Sequence, residues 1–137
     1  MDEFNGKRMG MKSTGSARRQ SYRYAPTSRM NNTFIDRGNS SFSDMVSGVD
    51  YGLYASKLGG GSVDVVTGEF NFAVMEGYII KNGKIDHPVS GASLVGTGLE
   101  VLQNIDMVGK DLKLGEGMCG ASSGTIAAGV GQPQVRI

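Results

Sequence analysis

Apolar and polar residues alternate most clearly in "GSVDVVTGEFNFAVMEGYII", where Val63 and Val65, then Phe70, Phe72 and Val74, are interleaved with Asp64, Glu69, Asn71 and Glu76. A period of two puts neighbouring side chains on opposite faces, so the run predicts half-buried strands, with Thr67-Gly68 as the turn that interrupts them. "KNGK", Lys81 to Lys84, contains Asn-Gly, the pair best suited to the positive φ angles of a two-residue hairpin. Tyr78, Ile79 and Ile80 precede it and Ile85 follows, so an antiparallel meander is expected. Helical spacing is briefer. In "SSFSDMVSGVD", Ser41 or Ser43 suits the N-cap of a short helix, Asp44 suits its first turn, and Gly48 limits its length. Leu99, Leu102 and Ile105 recur at helical spacing after Gly-Thr-Gly, which predicts a second short helix before a strand near Asp106 to Val108. The tail "GTIAAGVGQPQVRI" reads as a turn and then a strand.

From Met1 to about Arg37 neither period is sustained, and Gly, Ser, Asn, Thr and Arg dominate, so an extended loop is expected there. The expected organisation is a basic extended arm over residues 1–40 and a β-rich portion over 41–137. The fold class is α+β, mainly antiparallel sheet with hairpins and two short helices.

Composition sharpens this in two ways. The chain has 137 residues, 22 of them glycine, which is about twice ordinary usage and implies many tight turns or close backbone approaches. The net charge of +1 conceals an asymmetry, because residues 1 to 37 hold eight Lys or Arg against three Asp or Glu. Arg18, Arg19, Arg23 and Arg29 around Tyr22 and Tyr24 have the composition of a nucleic-acid tail. A pI near 7.8 and the lack of a nucleic-acid-binding motif favour a solvated or partner-contacting arm, and no direct nucleic-acid partner is expected. There is no apolar run long enough to span a bilayer, and Asp2 and Glu3 follow Met1 where a signal peptide would be basic, so no membrane role and a cytoplasmic location are expected.

The candidate chemistry is sparse. One histidine, His87, and one cysteine, Cys119, cannot build a His/Cys zinc site alone, since zinc takes three or four such ligands. A Cys119–His87 nucleophilic pair is the sharper reading of these two residues; a surface histidine before Pro88 is the simpler one. "GEGMCG" has the spacing of a dinucleotide fingerprint, but Ala-Ser-Ser-Gly is a poor helix opening after it. "LGGGSVDVV" lacks the Gly-Lys-Ser/Thr of a phosphate loop, so its triple glycine reads as a bend or a place where another backbone approaches. Asp64, Glu69, Glu76 and Asp86 are explained as solvent-face charge on a sheet more simply than as acid–base pairs.

Four blocks go further than composition: "STGSARRQSYRYAPTSRMNNTFI", "LYASKLGGGSVDVVTGEFNFAVMEGYIIKNGKI", "PVSGASLVGTGLEVLQNIDMVG" and "GMCGASSGTIAAGVGQPQVRI". In that order they resemble the C-terminal part of the TldD/PmbA family, also called modulator of DNA gyrase, and the "GMCG" and "RRQSY…RMNNTFI" blocks look like its TldD branch. The resemblance implies a zinc metallopeptidase acting on unfolded peptides. In such members a His-Glu-x-x-x-His helix gives two metal ligands and the general base, and a C-terminal cysteine gives the third ligand. Carried over, Cys119 is the zinc ligand, and its glycine-flanked turn lets the backbone come close to a metal held elsewhere. No His-Glu-x-x-x-His is present, so no catalytic residue is assigned to this chain, which is expected to be a C-terminal portion of a larger enzyme, inactive alone. The family also implies a homo-oligomer or a TldE-like partner. Peptide substrate is expected to add as a strand along an edge between Val63 and Ile80, near Gly59, Gly60 and Gly61. The alternative is a non-catalytic β-rich module that binds a peptide or a protein.

Overall fold

A computed structural model describes residues 2–137. Asp2 caps the first helix, α1 (Glu3–Met9), by accepting a hydrogen bond from the Asn5 backbone N–H at 2.7 Å. Glu3 pairs with Lys7 at 2.8 Å, and Gly10 closes the helix in the left-handed region. The sequence pattern predicts extended loop here. Its start and stop signals frame only seven residues, too few for an apolar period to show. Three two-residue strands follow, β1 (Ala17–Arg18), β2 (Thr27–Ser28) and β3 (Thr33–Phe34), so the expected arm is tied down by backbone pairing.

The helix expected near Ser41 is α2 (Phe42–Ser47), with the Ser41 hydroxyl accepting from the Asp44 N–H at 3.2 Å. Next come β4 (Tyr51–Val63) and β5 (Glu69–Lys81), an antiparallel pair. At their turn the Asp64 carboxylate accepts from the N–H groups of Val66 and Thr67 at 2.7 and 3.0 Å. The Asn82-Gly83 turn leads to β6 (Lys84–Val89), and both its residues have positive φ, 48° and 72°. A seventh strand, β7 (Ser93–Thr97), also pairs with β5. The third helix, α3 (Gly98–Asn104), is capped by Thr97. The remaining strands are β8 (Met107–Val108), β9 (Lys113–Ala121), β10 (Gly124–Gln132) and β11 (Val135–Arg136). The β-rich, mainly antiparallel architecture expected from the sequence is the one found, with three short helices among the described residues in place of two.

The chain falls into two compact units. One takes Met1–Asp36 and Leu112–Pro133. Its sheet has the order β3-β10-β9, with β10 parallel to β3 and antiparallel to β9, beside the small β1-β2 pair. Ile126 and Pro133 are its buried apolar side chains; Ser16, Arg29 and Ser123 are buried with them.

The other unit takes Arg37–Asp111 and Gln134–Ile137. Its sheet runs β4-β5-β6, with β7 sharing the β6 side of β5. Phe70, Phe72 and Val74 turn inward and Glu69, Asn71 and Ala73 outward, as the alternation predicts. Register shifts between Ala55 and Gly61 break that phase, and beyond them Gly77 and Ile80 are buried. Met45, Val46, Val74 and Ile80 are buried. Phe42, Tyr54 and Tyr78 form an aromatic row with centroid separations of 4.9 and 6.3 Å. β8 and β11 pair, and the Arg136 guanidinium grips Asp106 through Nε at 2.8 Å and Nη2 at 2.6 Å.

Gly83 combines a left-handed φ with close quarters, since a Cβ there would stand 2.9 Å from the Ser47 carbonyl oxygen. Gly83→Ala is therefore expected to destabilise the chain by about 1–3 kcal/mol, read as a lower urea midpoint with an unchanged slope. Gly60→Ala, at a position open for 4 Å around, serves as the control and should shift the midpoint far less.

Candidate functional site

Cys119 does not lie in a turn, as the glycine-rich sequence suggests. It is a ladder residue of β9, paired with Ile126 of β10, and the turn begins only after Ala121. Glycine is poor in isolated strands, yet the pairing continues through Gly115, Gly117 and Gly120 because β10 supplies the partner backbone for each. The thiol is half-buried and free.

What surrounds that end of the hairpin comes from the basic segment. Arg29 is only 5% exposed, and its guanidinium reaches both sides of the β9–β10 turn. Nη1 donates to the Ser123 hydroxyl at 2.7 Å and to the Gly124 carbonyl at 2.7 Å, while Nη2 donates to the Cys119 carbonyl. The Thr27 hydroxyl also donates to Ser123 at 2.8 Å, and Ser123 has no exposed surface. Gln20 adds a second tie: its N–H donates to the Ser123 carbonyl at 2.9 Å, and its side-chain oxygen accepts from the Thr125 N–H at 2.8 Å. Arg18 reaches the neighbouring ladder, donating to the Ala127 carbonyl at 2.9 Å and to the Met30 carbonyl at 3.2 Å.

These cations act on the thiol. The Arg29 side chain beside Cys119 holds its pKa below that of an ordinary thiol; the Met30 backbone and the charge of Arg18 pull the same way, and partial burial opposes them. A thiolate is a soft donor suited to zinc, so the chemistry of Cys119 fits one corner of a tetrahedral site. Among the described residues no three His, Cys, Asp or Glu side chains gather where they could share a metal ion.

An open cavity of about 690 Å³ lies over the same hairpin, with Arg18, Asn31, Asn32, Glu116, Met118 and the segment Ala127 to Gly129 in its lining. Asn32 holds that backbone by accepting from the Gly129 N–H at 3.2 Å.

Gly59, Gly60 and Gly61 belong to the other unit, on β4. A Cβ on Gly59 would meet the Met75 side chain, and one on Gly61 would meet the Asn71 carbonyl oxygen and the Phe72 ring, so these two glycines allow the close approach of β5. Gly60 faces open space. β4 pairs with β5 on one side, and no described strand pairs with the other. His87 is an exposed residue of β6 whose Nδ1 lies 3.0 Å from Asp86 Oδ2. Arg29, Ser123 and Gln20 were not singled out as site residues from the sequence. The available signal was charge: residues 4–35 contain seven Lys or Arg and no Asp or Glu.

A family model, the PmbA/TldA metallopeptidase C-terminal domain, matches residues 1–137. The chain is 48% identical over 138 residues to a protein named metalloprotease TldD homolog from Buchnera aphidicola, covering 99% of this chain and 29% of that protein. It is 31% identical over 137 residues to a zinc metalloprotease TldD homolog from Saccharolobus solfataricus, covering 99% of this chain and 30% of the relative. The chain thus spans less than a third of the length of the curated relatives it matches. Among solved structures, TldE from Thermococcus kodakarensis superposes with a TM-score of 0.72 at 21% identity, covering 98% of this chain and 28% of that one; the likeness is one of fold.

A thiol held below its unfolded pKa stabilises the fold as thiolate. That contribution is complete above the unfolded thiol's pKa and is lost as pH falls through the folded one. Urea midpoints of the wild type and Cys119→Ser should therefore draw apart as pH rises across that interval. Parallel curves would show that the cations do not favour the thiolate.

Proposed function

The chain belongs to the PmbA/TldA metallopeptidase C-terminal domain family, and on that premise we propose that it is the C-terminal part of a TldD-like zinc metallopeptidase that cleaves unfolded peptides in the cytoplasm. In this reading Cys119 gives one thiolate to the zinc, and the remaining ligands and the general base come from residues outside this chain. Bound zinc would polarise a peptide carbonyl and activate water. This chain's own part is to present the donor and to form a wall for the substrate. The observation that carries the reading is the match of the whole chain to the family, joined to a half-exposed thiol beside a buried arginine. The relative named a zinc metalloprotease supports the choice of metal.

Gly59, Gly60 and Gly61 fit the substrate wall because they lie on β4, whose second edge has no described partner. An extended peptide adding there would be held mainly by backbone hydrogen bonds, which suits substrates of varied sequence. A second copy or a TldE-like subunit is the proposed partner, supported by the fold shared with TldE.

Purified chain alone should bind no stoichiometric zinc and cleave nothing. Mixed with the N-terminal region of a TldD relative, it should acquire both properties, and Cys119→Ala should lose them. Absence of metal in every mixture would make the non-catalytic binding module the better account. In the active mixture, proline placed in turn at Gly59, Gly60 and Gly61 should weaken binding of an unfolded peptide at any position whose N–H faces the free edge. Unchanged binding in all three would remove β4 from the substrate wall.

A further inference from the structure

The buried arginine has a feature that its role as a tie does not explain. The two terminal nitrogens of Arg29 are engaged, yet its Nε is buried with no hydrogen-bond partner. No described ion pair includes Arg29, and its own segment offers no acidic residue from position 4 to 35. Burying a guanidinium with no carboxylate partner is costly, and an orphaned donor adds to the cost. Such an arrangement persists where the charge has a use. The guanidinium is bonded to the carbonyl of Cys119 itself, and its other bonds fix the two residues on the far side of the turn. A flat, forked cation can hold three acceptors in one plane, which the single ammonium of a lysine cannot do from one direction.

We infer that Arg29 is the positioning residue of the Cys119 donor: its buried guanidinium fixes the end of β9 against the β9–β10 turn, so that the sulfur is presented to the metal in one orientation with a cation behind it. The inference rests on the reading of Cys119 as a zinc ligand. Groups behind a ligand commonly set its direction and electron density, and their loss commonly weakens metal binding by about 10-fold to 100-fold. Arg29 contacts neither metal nor substrate in this role. It acts through the strand that carries the sulfur.

The test uses the complete metal-loaded assembly with Co(II) in place of zinc, because a cobalt–thiolate bond gives a near-ultraviolet charge-transfer band that reports on the sulfur directly. Cys119→Ala should abolish the band. Arg29→Met should weaken Co(II) binding by about 10-fold or more, and should shift the band at saturating metal, which a general loss of stability would not do. Should Arg29→Met fail to fold, Ser123→Ala keeps the charge and removes one anchor, and it should shift the band in the same direction with a several-fold loss of affinity. An unchanged band and affinity in Arg29→Met, or in Ser123→Ala where that is the variant that folds, would overturn the positioning role while the loss in Cys119→Ala left the ligand reading standing. Retention of the band in Cys119→Ala would overturn the ligand reading and the inference with it.

Discussion

One buried hydroxyl holds the candidate site together. Ser123 accepts from Arg29 and from Thr27, while its backbone carbonyl accepts from Gln20. Three separate points of the basic segment thus converge on one turn of a distant hairpin. The unit that contains them buries few large apolar side chains, Ile126 and Pro133 among them. Polar ties take over much of what a hydrophobic core would do, and they are effective because hydrogen bonds out of water are electrostatically stronger. The same property makes them unforgiving. A side chain that removed one partner would leave a buried charge or hydroxyl unsatisfied, at a cost above that of the lost bond.

The other unit is built on a different principle. Long antiparallel pairing places Phe70, Phe72 and Val74 on one face, and beyond the register shifts Gly77 and Ile80 are buried as well. Met45 and Val46 of α2 complete its buried set, and the row of Phe42, Tyr54 and Tyr78 extends it with aromatic contact. α3 is the exception. Its Leu99 and Leu102 recur at helical spacing but are 69% and 60% exposed, and no residue of that helix is buried. The spacing predicts the helix, but the burial that such spacing usually signifies is absent from it.

The position of Cys119 on a ladder changes the argument about its chemistry. A donor on a mobile turn would reach a metal by adapting its backbone, whereas one on a paired strand is held in place and must be approached. Fixing a donor in advance reduces the ordering cost of binding. The nearby cations favour the thiolate, the form a soft metal ion requires. Both features suit a residue that contributes one part to a centre assembled from several.

The sequence by itself determined whatever depends on neighbours a few residues apart. The Asn82-Gly83 hairpin, the Ser41 cap, the Asp64 turn and the alternation in β5 are all consequences of local sterics and short-range hydrogen bonds. Helix α1 belongs to the same class, since Asp2, the Glu3–Lys7 pair and Gly10 specify it locally, though its seven residues hide the period that would reveal it. Tertiary structure alone decided that Cys119 is a strand residue, because a glycine-rich segment has little preference of its own and takes its form from β10. It alone chose Arg29 from among several arginines, since the bond to Cys119 joins residues 90 positions apart. No period or motif encodes a contact of that separation; it exists only once both ends of the chain have been brought to the same turn.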